Sequence, residues 1–226
     1  LLDSFFGTNR GLSASAETRS EVNELIARLE SLNPTPSPTE ALDALGGKWR
    51  LQYTTNSELL VLLAADNLPL LKIGEMTQTI DAVSNSVENR VAFSAPMLET
   101  SVSTSASFDV RSPKRLQVKF KEAGIETPTL ADVSLFSSLP ASVDVMGQSV
   151  DTAAVTSALE PLQNAASGVF NSLGEAMKGL PGVKVPLPDN IPTGSQAWIL
   201  TTYLDSTFRI ARGDGGSVFV LTKVVD

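Results

Sequence analysis

A carboxylate and two arginines toward the end of the sequence are the side chains whose type and spacing best suit chemistry. Asp205 ends an apolar run, Arg209 and Arg212 follow it, and Gly213, Asp214, Gly215 and Gly216 complete the stretch YLDSTFRIARGDGG. Asp205 can accept hydrogen bonds from the N–H groups of a backbone corner, pair with Arg209, or sit at a cavity mouth facing a ligand. As a general acid or base it lacks a second carboxylate at fixed spacing and a histidine to work with. The chain contains no histidine and no cysteine. Thiolate nucleophiles, disulfides, the commonest zinc and haem ligands and the usual proton shuttle are therefore excluded, and neither an enzyme nor a metal site is expected. The Arg212 to Gly216 glycines suit a hairpin turn, because glycine reaches positive φ without steric cost. A phosphate-cradling loop would need a helix after it, whereas SVFVLTKV reads as another strand.

Composition narrows the partners. A formal charge of -8 repels a phosphate backbone on average, and no basic run interleaved with aromatics offers a local exception. Nucleic acid is not expected. The longest apolar run, Leu59 to Ala65, falls short of the roughly 20 residues that a spanning helix needs. The first residues show neither the order of a secretory signal nor the Arg- and Ser-rich character of a transit peptide.

The elements that would position these residues are mostly strands. Trp49, Leu51 and Tyr53 alternate with Lys48, Arg50 and Gln52, which predicts a strand with one wet face and places Tyr53 beside Trp49. Met76–Asp81, Val87–Phe93, Val102–Val110, Leu116–Lys121, Ala197–Leu204, Phe208–Arg212 and Ser217–Val224 follow, separated by turn signals. About eight strands at hairpin-like spacing predict an all-β fold with helical additions: one antiparallel, up-and-down barrel over residues 1–226. Phe93, Phe108, Phe120 and Trp198 lie on strands and join Trp49 and Tyr53 as candidate cavity aromatics, although apolar residues on both sides of Trp198 leave its face open.

Three segments depart from a minimal barrel. Within residues 1–40, apolar positions Val22, Leu25, Ile26, Leu29 and Leu32 recur at helical spacing, with Ser13 or Ser15 as N-cap and NPTPSP as the stop. Ser57–Leu71 is apolar nearly all round, so Leu59, Leu60, Leu62 and Leu63 must be buried under the barrel rim, fill its mouth or dip into lipid. Residues 123–195 form a long insertion in which Val155 to Met177 has an amphipathic helical pattern. Leu159, Phe170 and Leu173 on its apolar face are candidates for packing, for a ligand lid or for a lipid or protein surface. That stretch has no lysine, which favours neutral lipid or a protein groove over a strongly anionic membrane.

Several of these stretches carry a resemblance. TTYLDSTFRIARGDGGSVFVL, LDALGGKWRLQYTT, LLDSFFGTNRGLSAS and ELIARLESLNPTPSP resemble segments of the plastid lipid-associated proteins, or fibrillins, which have them in the same order, and the resemblance covers the whole chain. Gly47-Lys48-Trp49 also resembles the G-x-W that opens the first strand of lipocalins. There an arginine from a late strand stacks over the tryptophan, so Arg209 or Arg212 is expected to do so here. The resemblance implies a non-enzymatic protein that binds or coats carotenoids, prenylquinones or acyl lipids at plastoglobules or thylakoid membranes, after removal of a plastid transit peptide. It implies no obligatory cofactor beyond such a bound molecule. The alternative is an interaction module that stabilises a thylakoid pigment-protein complex or an isoprenoid biosynthetic enzyme, with the barrel filled by its own side chains.

Overall fold

The computed structural model describes residues 1–67, 71–95, 98–126, 142–145, 148–151, 183–186 and 196–225, and the features given are those of these residues. Its strands are β1 (Gly47–Thr54), β2 (Lys72–Asp81), β3 (Ser86–Ala95), β4 (Leu98–Ser112), β5 (Arg115–Glu126), β6 (Ser142–Val145), β7 (Gln148–Asp151), β8 (Val183–Pro186), β9 (Gln196–Leu204), β10 (Phe208–Gly213) and β11 (Val218–Lys223). β1 to β5 pair in sequence, β5 pairs with β9, and β9, β10 and β11 lead back to β1. The result is the expected closed antiparallel barrel of eight strands. Closure leaves no unpaired edge in the wall.

β5 continues past the Ala123 boundary read for the insertion. Arg115 to Lys119 pair with β9, whereas Glu122 to Ile125 pair with β8. β6 and β7 form a separate hairpin. The helical pattern from Val155 to Met177, with Leu159, Phe170 and Leu173, lies outside the described residues.

A β-bulge corrects one sequence expectation. The pairing of β1 with β11 runs Leu51 to Leu221 and then Tyr53 to Val220, so β1 carries one extra residue. An extra residue in one strand moves the next side chain to the opposite face. Leu51 therefore stays with Trp49 inside the barrel, and Tyr53 packs outside against Phe5, with ring centroids 5.1 Å apart.

Tyr53 is covered by α1 (Ala16–Ser31), whose N-cap Ser15 accepts a 3.1 Å bond from the Thr18 N–H. Val22 and Ile26 pack with Phe5, Tyr53, Ile210, Val218 and Val220 in a core outside the barrel wall. Each such side chain contributes about 1.5–3 kcal/mol on burial. Arg212 on the outer side of β10 fixes the helix by a two-pronged pair with Glu30, at 2.7 and 3.0 Å. Asn33 holds the chain after α1 by accepting from the Leu204 N–H at 3.0 Å.

Two further helices stand at opposite ends of β1. α2 (Leu42–Leu45) precedes it, and Gly47 at φ 109° turns the chain into the strand, a conformation that disfavours a side chain. α3 (Ser57–Ala64) follows it, capped by Asn56, which accepts from the Leu59 N–H at 3.0 Å. Leu60, Val61 and Leu63 of α3 join the interior cluster that also holds Trp49, Phe93 and Phe108.

Candidate functional site

The site begins with which side of the wall each residue faces. Met76, Gln78 and Ile80 of β2 share a face, and so do Val87, Asn89, Val91 and Phe93 of β3. Cross-strand pairing carries that face to Val102, Thr104, Ala106 and Phe108 of β4, and then to Leu116, Val118 and Phe120 of β5. Its apolar members belong to one interior cluster with Trp49, Leu51, Ile199, Leu204, Phe219 and Leu221.

That inner face is only partly covered. Phe93 and Phe108 are buried, at 6% and 4% exposure. Gln78, Asn89, Val91, Val102, Thr104, Val118, Phe120 and Ile199 keep intermediate exposure although they point inward. These side chains face the inside of a closed wall, keep accessible surface and line its lumen.

The floor of the lumen is built on Trp49, which is fully buried. Its indole N–H donates to the Leu45 carbonyl at 2.8 Å, closing the end of α2 onto the barrel. The arginine over its ring is Arg209, 5.2 Å from the centroid, and Lys223 Nζ approaches to 5.1 Å. Lys223 also donates to the Ala44 carbonyl at 3.0 Å.

Arg209 is 2% exposed and donates through Nη2 to the side-chain oxygen of Gln78. Gln78 donates in turn to Asn89 at 2.7 Å, and Asn89 to Thr104 at 3.4 Å. Trp49, Gln78, Asn89 and Thr104 are successive register partners across β1 to β4. Because barrel strands are tilted, such a row climbs the wall as it crosses from strand to strand. A polar file thus crosses the inner wall from β2 to β4, between apolar neighbours on each strand. Sequence reasoning missed Gln78, Asn89, Thr104 and Lys223. The available signal was one polar residue in the apolar stripe of each of three consecutive strands.

The other expected site residues separate from the lumen. Trp198 pairs with Gln117 on the outer face, while its neighbour Ile199 pairs with Leu116 inside. Arg115 covers the Trp198 ring at 5.3 Å, so this aromatic does not line the cavity. Arg212 binds Glu30 and takes no part in the floor. Asp205 accepts from the Thr207 and Phe208 N–H groups, both at 2.7 Å, and from the Tyr203 hydroxyl at 2.8 Å. Partial burial pushes its pKa up, but the Thr207 N–H, the Tyr203 hydroxyl and the Phe208 N–H outweigh this and hold it below the ordinary value. It is the corner acceptor. Leu60 and Leu63 are buried at 3% and 0%, and Leu59 and Leu62 are half-buried against the same core. α3 is therefore part of the barrel interior and not a free lipid-facing helix.

The amino-acid sequence matches known proteins over nearly the whole chain. The PAP_fibrillin family model matches residues 1–222. The chain belongs to the PAP_fibrillin family. Among relatives, it is 50% identical over 223 residues to the light-induced protein, chloroplastic, of Solanum tuberosum, covering 99% of this chain and 65% of that one. It is 48% identical to plastid lipid-associated protein 2, chloroplastic, of Brassica campestris, covering 99% and 67%. Identity is also 48% to the chromoplast-specific carotenoid-associated protein, chromoplastic, of Cucumis sativus, covering 99% and 66%. The chain thus spans about 65% of the length of the first curated relatives it matches. No solved structure matches it. Among the described residues no helix is long and apolar enough to cross a membrane.

Proposed function

We propose that this domain is a non-enzymatic carrier that holds one hydrophobic plastid molecule, a carotenoid, prenylquinone or acyl lipid, inside its barrel. The observation that carries the proposal is the half-exposed inner face from Val91 and Val102 to Phe120 and Ile199. A barrel filled by its own side chains would bury that face. Relatives named lipid-associated and carotenoid-associated support the same class of molecule, and their chloroplastic and chromoplastic names make this a plastid protein. Attachment to a plastoglobule or thylakoid surface is the accompanying proposal, with Leu159, Phe170 and Leu173 as the residues that would dock.

Filling the lumen tests the carrier reading. Methyl parinarate, an uncharged fluorescent polyene, should bind the wild-type protein saturably at one molecule per chain. Val91→Trp/Val102→Trp, which occupies the space between β3 and β4, should abolish that binding while the far-ultraviolet circular dichroism of the barrel persists. Equal binding by the folded double variant, or no binding by either protein, overturns the carrier reading in favour of an interaction module.

A further inference from the structure

Arg209 is a buried cation for which the fold supplies too few acceptors. Its side chain is 2% exposed, yet among the described residues its one hydrogen bond is from Nη2 to the neutral Gln78, and its buried Nε meets no acceptor there. None of the inner-face positions of the described barrel strands is Asp or Glu. Removing a guanidinium from water without an anionic partner is costly, and folds normally pair it. Burial accordingly draws its pKa down to about 9, a value that still leaves the group charged near neutrality. The Trp49 face recovers part of the cost, because the ring's negative face attracts a desolvated cation. It supplies no oxygen to the N–H donors.

The surroundings point the missing acceptor into the lumen. Arg209 sits over the floor, facing Gln78 across the barrel, and the file of Gln78, Asn89 and Thr104 rises from it along partly exposed inner wall. Beyond the file the wall is apolar, with Val91, Val102 and Phe93 leading toward the Leu60 and Leu63 end. This is a cationic, hydrogen-bonding base beneath a hydrocarbon-lined tube.

We propose that Arg209 and Gln78 form a head-group subsite for the carboxylate of a long-chain fatty acid, whose acyl tail runs up the lumen past Val91 and Phe93. This assignment rests on the carrier reading and adds the chemical class of ligand that the cavity selects. A carboxylate would supply the charge and the oxygen acceptors that the fold does not provide for Arg209, and planar pairing with a guanidinium is the geometry at which arginine excels. Gln78 would keep one arm on Arg209 and order the base through Asn89.

The test compares an acid with its own ester. Delipidated protein is titrated at pH 7 with cis-parinaric acid and with methyl parinarate, which share the polyene tail and differ in head-group charge. The acid should bind about tenfold or more tightly, as a charge-assisted hydrogen bond implies. Arg209→Met should remove that preference by weakening the acid alone, and Arg209→Lys should restore only part of it. Near-ultraviolet circular dichroism of Trp49 reports whether each variant keeps its floor. If Arg209→Met fails to fold, the wild-type preference and the partial preference of Arg209→Lys still decide. Equal wild-type affinity for acid and ester, or a preference that survives in folded Arg209→Met, overturns the head-group subsite while leaving the carrier reading intact. Absence of binding by both probes overturns both.

Discussion

The two tryptophans give the sharpest contrast in the molecule, because one is the floor of the lumen and the other lies on the outside of the wall. Trp49→Phe removes the indole donor and leaves the buried Leu45 carbonyl without its 2.8 Å partner, a loss of about 1–3 kcal/mol. Phenyl also holds the flanking Arg209 and Lys223 less well than indole, for a further ~0.5–1 kcal/mol. The smaller ring leaves a void worth about 1 kcal/mol more. Together these give about 2.5–5 kcal/mol, or roughly 5–20 °C in Tm for a chain of this size. Trp198→Phe keeps its half-buried position on the outer face beside Arg115 and should cost less than about 1 kcal/mol. Thermal melts followed by far-ultraviolet circular dichroism compare the two directly. Equal losses, or a larger loss for Trp198→Phe, would refute the placement of Trp49 as the plug.

Arg209→Met should be at least as stable as the wild type at pH 7, measured by urea unfolding, because it removes a buried cation without an anionic partner. The guanidinium pKa is lower folded, at about 9, than unfolded, so between these values the unfolded chain binds more protons and stability rises with pH. The gap between this variant and the wild type should therefore narrow above pH 9. Asp205→Asn should destabilise the protein at pH 7 in the same assay. The Asp205 pKa is lower folded than its ordinary 3.8, so its contribution is present above that value and lost as pH falls through the folded pKa. The two proteins should converge in acid. A double-mutant cycle on Glu30→Ala and Arg212→Ala should give a coupling of ~1 kcal/mol or less, reflecting a two-pronged pair that is partly open to solvent. Leu159→Ser/Phe170→Ser/Leu173→Ser should lower the fraction of protein that floats with lipid particles in a density gradient; unchanged flotation of the folded variant would move attachment elsewhere.

The strand count and the closed barrel were legible because most wall strands alternate between an apolar and a wetter face, and a period of two is a local property. α1 was legible for a similar reason, with Ser15 as one of two proposed caps and Val22 and Ile26 on its buried stripe. Tyr53 was misplaced because a bulge is a relation between two strands: β1 alone shows unbroken alternation, and only its register with β11 exposes the extra residue. Trp198 was ambiguous because both faces of β9 are apolar, one toward the lumen and one toward the cover around Tyr203 and α1. The sequence narrowed the stacking arginine to Arg209 or Arg212 but could not separate them. They differ by the neighbour each meets, Trp49 inside and Glu30 outside. α3 looked like a lipid-seeking segment because hydrophobicity on all sides is shared by helices that enter lipid and helices that enter a core. The polar file went unseen because Gln78, Asn89 and Thr104 meet only through sheet pairing.

The claim that the barrel is a carrier is tested most directly by native mass spectrometry of the protein isolated from plastids, beside the lumen-filling Val91→Trp/Val102→Trp variant isolated in the same way. The account predicts a wild-type adduct of one lipid or pigment molecule per chain and a bare polypeptide mass for the folded variant. A bare wild-type chain, or the same adduct on both proteins, would contradict it.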